Sequence, residues 1–373
     1  MGLAFLANWG RKRGVRCKYC FDSRSRSVPD QKIRRERLKC GILLSMYEQV
    51  TPAIYCIPVR LPNNPLRSLN CYVVKGPERN LLIDTGFNLP ESFSDISEGI
   101  AGLSLDMDKT DIFLTHCHSD HTGLAGRIAA KGTRIYMNET DLPLTKRYIG
   151  EKQAAMESLY KRLLRAGYPA EEAGRSIALN PALANTSPEL FEIVPVSEGF
   201  SFEIGELEIK AIHTPGHTPG HMCLYIEKEK ILFTGDCVLF DITPNIIDWP
   251  EMKDSLGAYL ESLRRLSSID AALALPAHRK PGDLKKRIGE LILHHERRLG
   301  EVLGILGGHG EQSTYEIASK MKWRIRYTNW DDFPVSQKSF AVGEARSHLR
   351  WLERRNKIIK SADPEVERFS IAK

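Results

Sequence analysis

Within Thr115-His116-Cys117-His118-Ser119-Asp120-His121-Thr122-Gly123, three imidazoles and a carboxylate fall inside six residues. They come directly after Asp111-Ile112-Phe113-Leu114, an apolar run that reads as a buried strand. Such a density of nitrogen and oxygen donors is the chemistry of a metal site, and further donors recur downstream. In His213-Thr214-Pro215-Gly216-His217-Thr218-Pro219-Gly220-His221, the prolines and glycines force a tight loop between strand-like runs at Leu207 to Ile212 and Met222 to Ile226. Ile231 to Asp236 is an apolar strand closing on Gly-Asp, and Ala272 to His278 is another closing on His. Each polar group therefore stands at a strand end, where side chains from several strands can meet.

The inventory is too large for one ion. His116, His118, Asp120, His121, His217, Asp236 and His278 exceed the three or four protein ligands of a single zinc but suit two cations sharing Asp236. Two ions about 3.5 to 4 Å apart hold a water between them and lower its pKa towards roughly 7. Imidazole with carboxylate suits zinc first, and iron or manganese as well, since no thiolate is required.

HxHxDH, TPGHTPGH, Gly-Asp and a late His together resemble the metallo-β-lactamase fold hydrolase superfamily, with Ile83-Asp84-Thr85-Gly86 similar to its early Asp-containing turn. The resemblance covers residues 46 to 282. It implies an α/β fold, a four-layer αβ/βα metallo-β-lactamase sandwich with the site at one edge of two facing sheets. It further implies His116, His118 and His217 on a first metal, Asp120, His121 and His278 on a second, Asp236 between them, and Asp84 orienting a ligand or loop. Asp236 makes the chain more similar to the glyoxalase II, lactonase and thioester or ester hydrolase branch than to true β-lactamases, which usually lack that carboxylate. Flavo-di-iron oxidoreductases carry Glu where this chain has His118, and the RNA-processing nucleases insert a large second domain that this layout cannot hold.

At 42% apolar and 27% charged, 373 residues suffice for a full core and a smaller domain. No run reaches the roughly 18 apolar residues of a membrane span, so no membrane role is expected. Eight cysteines without a disulfide framework point to a reducing cytoplasm. The net charge of +6 hides a division. Residues 1–45 carry 12 Lys or Arg against 3 acids, residues 46–282 carry 23 against 31, and residues 283–373 carry 18 against 13. The acidic middle segment argues against RNA as substrate, because nucleic-acid affinity rests largely on phosphate neutralisation.

Residues 1–45 read as a basic leader that is disordered or stems from an upstream start assignment. The apolar stretch at Gly2 to Ala7 precedes the charges, the reverse of a signal peptide. Cys17-Lys18-Tyr19-Cys20 is half of a zinc knuckle at most.

Between the ligand groups, Met156, Leu159, Tyr160, Leu163 and Leu164 form a helical stripe ended by Gly167. A helical insertion from about 139 to 190 is expected, packed on the sandwich edge or capping the site with Tyr148, Tyr160 or Tyr168. In residues 283–373, Asp283 caps a long helix through Leu306 that Gly307-Gly308 ends. Ser313 and Glu316 form a capping box, and Ser339 to Arg355 is a third helix. With an extended Glu367 to Ala372, this resembles a small helical winged-helix-like domain, found behind the hydrolase domain in some relatives, one subgroup of which cuts single-stranded RNA. Arg346, Arg350, Arg354 and Arg355 lie on its third helix as phosphate contacts or a solvated face; a structural, homodimer-forming or site-closing role is the competing reading. Cys117 and Cys237 should be packed apolar groups, His213 structural, His221 a hydrogen-bond partner of a ligand, and His294 and His295 surface or interface groups.

The function expected from these residues is a dinuclear hydrolase cleaving a thioester, ester or lactone of a small-molecule acyl substrate. Asp120 would position the attacking water and carry a proton. Single-strand RNA cleavage and ligand-sensing regulation are the alternatives.

Overall fold

A computed structural model describes residues 46–372, and the leader with its Cys17/Cys20 pair lies outside the described residues. One sheet sets β1 (Glu48–Gln49), β2 (Ile54–Arg60), β3 (Ser68–Val74), β4 (Asn80–Ile83), β5 (Thr110–Leu114), β6 (Ile135–Asn138) and β7 (Val194–Val196) side by side in chain order. Its pairing is antiparallel up to β4 and parallel from β4 onwards. The second sheet holds β8 (Ser201–Ile204), β9 (Leu207–His213), β10 (Met222–Ile226), β11 (Ile231–Gly235) and β12 (Leu273–Pro276) in the order β12-β11-β10-β9-β8, with β11 and β12 parallel.

Near-continuous apolar strands mean that both sheet faces are covered. Successive side chains point to opposite faces, so each strand feeds two cores in turn. In β11, Ile231 and Phe233 enter the core between the sheets, where they meet Ile54, Tyr72, Val74 and Phe113. Leu232 faces the other way, into a core with Leu256, Tyr259 and Leu263 of the helix Ser255–Ser267 and Leu284, Ile288 and Leu291 of the helix Leu284–His309. On the outside of the first sheet, Ile57, Val59, Leu82 and Ile112 pack against Phe87 and against Ile96 of the helix Pro90–Gly102. The layers run helix, sheet, sheet, helix.

Strand direction places the chemistry. β4, β5, β9, β11 and β12 all run towards one rim, and the segments leaving them contain Asp84, residues 116–121, the 214–221 loop, Asp236 and His278. The two sheets are tied together at that rim. Met222 N donates to Thr115 O at 2.9 Å and Asn70 N to Ala277 O at 2.7 Å, while the Tyr72 hydroxyl donates to Pro276 O at 2.9 Å.

Residues 139–190 form the helices Leu142–Gly150, Lys152–Arg165, Ala170–Ala178 and Pro181–Ala184. Leu163 is buried, Met156, Leu159, Tyr160 and Leu164 pack beside it, and Gly167 takes φ +90° after the stripe. Tyr168 is inside that core, its ring edge-on to Tyr315 at 4.7 Å, rather than on a substrate face.

The following helix, Leu284–His309, starts on Asp283, which accepts Lys286 N, and runs through Gly307-Gly308. It stops at Gly310, whose positive φ of 71°, readily taken only by glycine, breaks the ladder. The capping box at Ser313 and Glu316 opens the helix Thr314–Lys320. The third helix, Val335–Arg354, begins four residues before Ser339, directly after Pro334. A small sheet of β13 (Gln312–Ser313), β15 (Arg368–Ile371) and β14 (Ile358–Lys360) completes the region. These helices share the core of the second sheet's outer face. His295 corrects its surface reading: it is fully buried, and its Nδ1 lies 3.1 Å from His348 Nε2. Adjacent histidines on a helix point about 100° apart, and the inward one found a partner 53 positions away. No helix among the described residues is long and apolar enough to cross a membrane.

Phe233 is 1% exposed and meets Tyr72 edge-on at 5.3 Å between the sheets. Phe233→Ala should lower unfolding free energy by about 3–5 kcal/mol, read from the midpoint of urea denaturation at unchanged m-value.

Candidate metal centre

β5 is buried along its whole length and delivers Thr115 and His116 to the rim. His116 Nε2 lies 2.9 Å from His118 Nδ1, and His217 Nε2 lies 3.0 Å from the same atom. Three imidazole nitrogens thus converge on one point, each with its other side engaged or turned away. His116 Nδ1 is 3.0 Å from Thr115 Oγ1, and His217 Nδ1 donates to Asn245 O at 3.0 Å.

Beside them stands a second group. His278 Nε2 lies 3.3 Å from Asp120 Oδ2 and 3.5 Å from Asp236 Oδ1, and His121 Nε2 lies 3.7 and 3.8 Å from the same two oxygens. The other oxygen of Asp236, Oδ2, is 3.5 Å from His217 Nε2. Asp236 therefore presents one carboxylate oxygen to each group. His121 donates through Nδ1 to Asp84 Oδ2 at 2.8 Å, and His278 through Nδ1 to Ser68 O at 2.8 Å. Asp84, itself at φ 62°, also accepts from Thr115 N at 2.8 Å. With Nδ1 held by these acceptors, Nε2 is the nitrogen each ring turns towards the carboxylates.

His221 stands behind Asp236. Its Nε2 accepts Asp236 N–H at 3.0 Å, so its Nδ1 carries the proton, aimed at Thr214 Oγ1 at 2.8 Å. Both ring nitrogens are spent on positioning. A Cβ on Gly235 would lie 2.6 Å from that imidazole, so only glycine lets the chain pass. His213 donates to Pro219 O within its own loop, and Cys117 and Cys237 are buried.

Whether these groups suit cations is decided by three atoms. Among the described residues, His121 Nε2, His278 Nε2 and Asp236 Oδ1 are buried and have no hydrogen-bond partner. Buried polar atoms in folded chains are nearly always paired, and these three face one another. The electrostatics agree. Burial, reinforced by neighbouring imidazoles, holds His116 and His217 well below the usual histidine range and brings His118 to about 4, so all three are neutral donors. Burial opposes charge on His121, but the carboxylates of Asp84, Asp120 and Asp236 prevail and lift it to about 10. Burial also disfavours the Asp120 carboxylate, yet His121 and His278 hold its pKa below the usual range. The second group is a pocket of negative potential, and His/Asp clusters in this arrangement are compatible with a dimetal site.

Residues 65–278 match the model of the metallo-beta-lactamase superfamily. The chain belongs to that superfamily. Among curated relatives, it is 30% identical over 217 residues to an atrochrysone carboxyl ACP thioesterase of Aspergillus fumigatus, covering 58% of this chain and 39% of the relative. It is 31% identical over 246 residues to the lactamase-like protein nscB of Neosartorya fischeri, covering 65% of this chain and 57% of the relative. The match thus spans less than two thirds of the length of either relative. Among solved structures, a metallo-beta-lactamase family protein of Thermus thermophilus aligns with TM-score 0.74 and 27% identity over 87% of this chain and all of that one. A beta-lactamase domain protein of Burkholderia ambifaria has the same fold, with TM-score 0.75 and 23% identity over 87% of this chain and 94% of that one.

Two residues of this superfamily member support the site without any signal in its motifs. Asp141 is fully buried and accepts from Cys117 N at 2.9 Å, Thr218 Oγ1 at 2.6 Å and Gly220 N at 2.6 Å. It therefore clamps the loops that carry His118 and His217 to each other. Trp249 donates through Nε1 to His217 O at 2.8 Å and lies over His118, with ring centroids 6.0 Å apart. Only Asp141's position just before a Leu-Pro helix start could have drawn notice. Asp141→Asn puts an amide where backbone N–H groups now donate, leaving one of them unpaired. The variant should lose about 1–3 kcal/mol of stability, measured by urea unfolding of the metal-free protein.

Proposed function

We propose that the chain is a dinuclear metal-dependent hydrolase that cleaves a thioester, ahead of an ester or lactone. The observation that carries this reading is the set of unpartnered buried atoms on His121, His278 and Asp236 facing the three-imidazole group. One cation would sit on His116, His118 and His217, a second on Asp120, His121 and His278, with Asp236 shared; zinc is the metal proposed, because imidazole predominates. Two such ions supply Lewis-acid polarisation of a carbonyl and hydroxide at neutral pH. The protein's own part is orientation and proton handling. Asp84, Ser68 and Asn245 fix the imidazole tautomers, and His221 holds the backbone that carries Asp236. Asp120, 3.3 Å from His278 Nε2, would position the water and pass its proton to the leaving thiolate or alkoxide. Thioester is placed first because relatives from Aspergillus fumigatus and Emericella nidulans bear the name atrochrysone carboxyl ACP thioesterase.

The shared carboxylate of Asp236 supports the glyoxalase II-like branch, and the unpaired, buried cysteines among the described residues support a reducing cytoplasm. The order helix, strand, helix, helix, strand, strand after residue 283 supports a winged-helix domain behind a catalytic domain of 46–282. Arg346 and Arg350 on its third helix are paired with Asp248, Glu353 and Glu367, which speaks against these two as phosphate contacts.

The test is turnover of a panel of acyl thioesters, lactones, aryl esters and short RNAs, with metal content determined on the same sample. Thioester cleavage should vanish after chelation and return with Zn2+. His118→Ala should be inactive on every substrate. Asp120→Asn should lose at least about 100-fold in kcat; full turnover with two cations bound would refute its proton role. Cleavage of RNA alone would overturn the acyl reading. Adding Zn2+ at about 100 times its Kd should stabilise the metal-free protein by roughly 2.7 kcal/mol, read as a rise in Tm.

A further inference from the structure

The stretch 243–249 has no regular secondary structure, yet it supplies two of the contacts that hold His217: Asn245 O accepts from its ring and Trp249 Nε1 donates to its backbone carbonyl. A loop with no ladder of its own needs another element to fix it. That element is the C-terminal helix Val335–Arg354, which lies along the loop one turn after another. Asn245 Nδ2 donates to Phe340 O and Glu344 Oε2, both at 3.4 Å. Gly343 faces Ile247 so closely that a Cβ there would stand 2.7 Å from its Cγ2 methyl. The Ser347 hydroxyl, 1% exposed as a residue, donates to Ile246 O at 2.6 Å. Arg346 Nε lies 3.1 Å from Asp248 Oδ2. Glu344 is in turn held by Arg298 Nε at 3.3 Å, and the Arg298 guanidinium lies over the Trp323 ring at 4.1 Å.

We propose that Gly343, Glu344 and Ser347 are positioning residues of the three-imidazole site. The C-terminal helix sets the height of the 245–249 loop and so the aim of His217 at its cation, while the Asp120, His121 and His278 group is held independently of it. This rests on the dinuclear reading above. The independence has a structural basis: His121 is held by Asp84 and His278 by Ser68 O, both in the first sheet's half of the fold.

A Cβ at position 343 must push Ile247, and with it the loop, away from the helix. Gly343→Ala should weaken one of two Zn2+ ions by about 10- to 100-fold, the range typical of lost outer-shell support, in a competition titration against a chromophoric chelator. The other ion should keep its wild-type affinity. With Co2+ as probe, the visible bands of the weakened site should shift, and Ile247→Ala added to Gly343→Ala should restore them. Ser347→Ala, which deletes one buried hydroxyl, tests the same coupling should Gly343→Ala not fold. The Tm of the metal-free Ser347→Ala protein separates positioning from general destabilisation. Equal weakening of both ions in step with a lowered metal-free Tm would overturn the proposal, as would wild-type affinity at both sites. A wild-type protein that binds no cation would instead bring down the dinuclear reading itself.

Discussion

Sequestering five imidazoles and three carboxylates in one dry patch is the constraint to which the rest of the chain answers. Transfer of isolated charges from water into a protein interior costs several kcal/mol each after relaxation, and neutral polar groups are costly too when unpaired. The chain meets this cost on one side of four of the five rings with a fixed partner: Thr115, Asp84, Asn245 and Ser68 each face the distal nitrogen of a different histidine. The other side is left to face its fellow donors. A cation placed there would answer the remaining demand, so the same geometry that would burden an apo protein would favour a metal-loaded one.

Rigidity follows from that arrangement, because each partner belongs to a different part of the fold. Asp84 leaves β4, Thr115 leaves β5, Ser68 opens β3, and Asn245 lies in a loop pinned by the C-terminal helix. The sheets could not slide past one another without breaking the bonds between Met222 and Thr115 and between Asn70 and Ala277. Asp141 and Trp249 perform the same service for the loops. The two halves of the centre also differ in character. One is a set of neutral nitrogens kept so by burial, and the other is a carboxylate-rich pocket that draws positive charge.

Most of this centre was readable in the sequence because its donors are crowded into short motifs at strand ends. The His116 to His121 run, the loop around His217 and the Gly235-Asp236 strand end each announce themselves by type and spacing. The apolar runs of β5, β10 and β11 marked the strands because both faces are covered. What escaped were residues whose partners are backbone atoms of distant loops. Asp141 lies in an unremarkable Thr-Asp-Leu-Pro stretch, and nothing local tells that Cys117 N and Gly220 N come to it. His295 differs from its surface reading for another reason: helical periodicity gives a face but not the element, here the helix of His348, that will cover it. Helix ends moved by a few residues where glycine was taken for a stop. Gly307 and Gly308 continue the helix, and Gly310, with a positive φ, ends it.

β4, β5, β9, β11 and β12 all run towards the centre, so the turns at residues 75–79, 205–206 and 227–230 lie at the opposite rim. Gly205 and Lys230 take the left-handed backbone that tight hairpin turns demand, and the charged side chains of Glu206, Lys228 and Lys230 project from them. This rim is the natural handle of the molecule. A fused reporter, an immobilising linker or a new chain opening introduced there would hang from the end of the scaffold opposite the candidate metal centre.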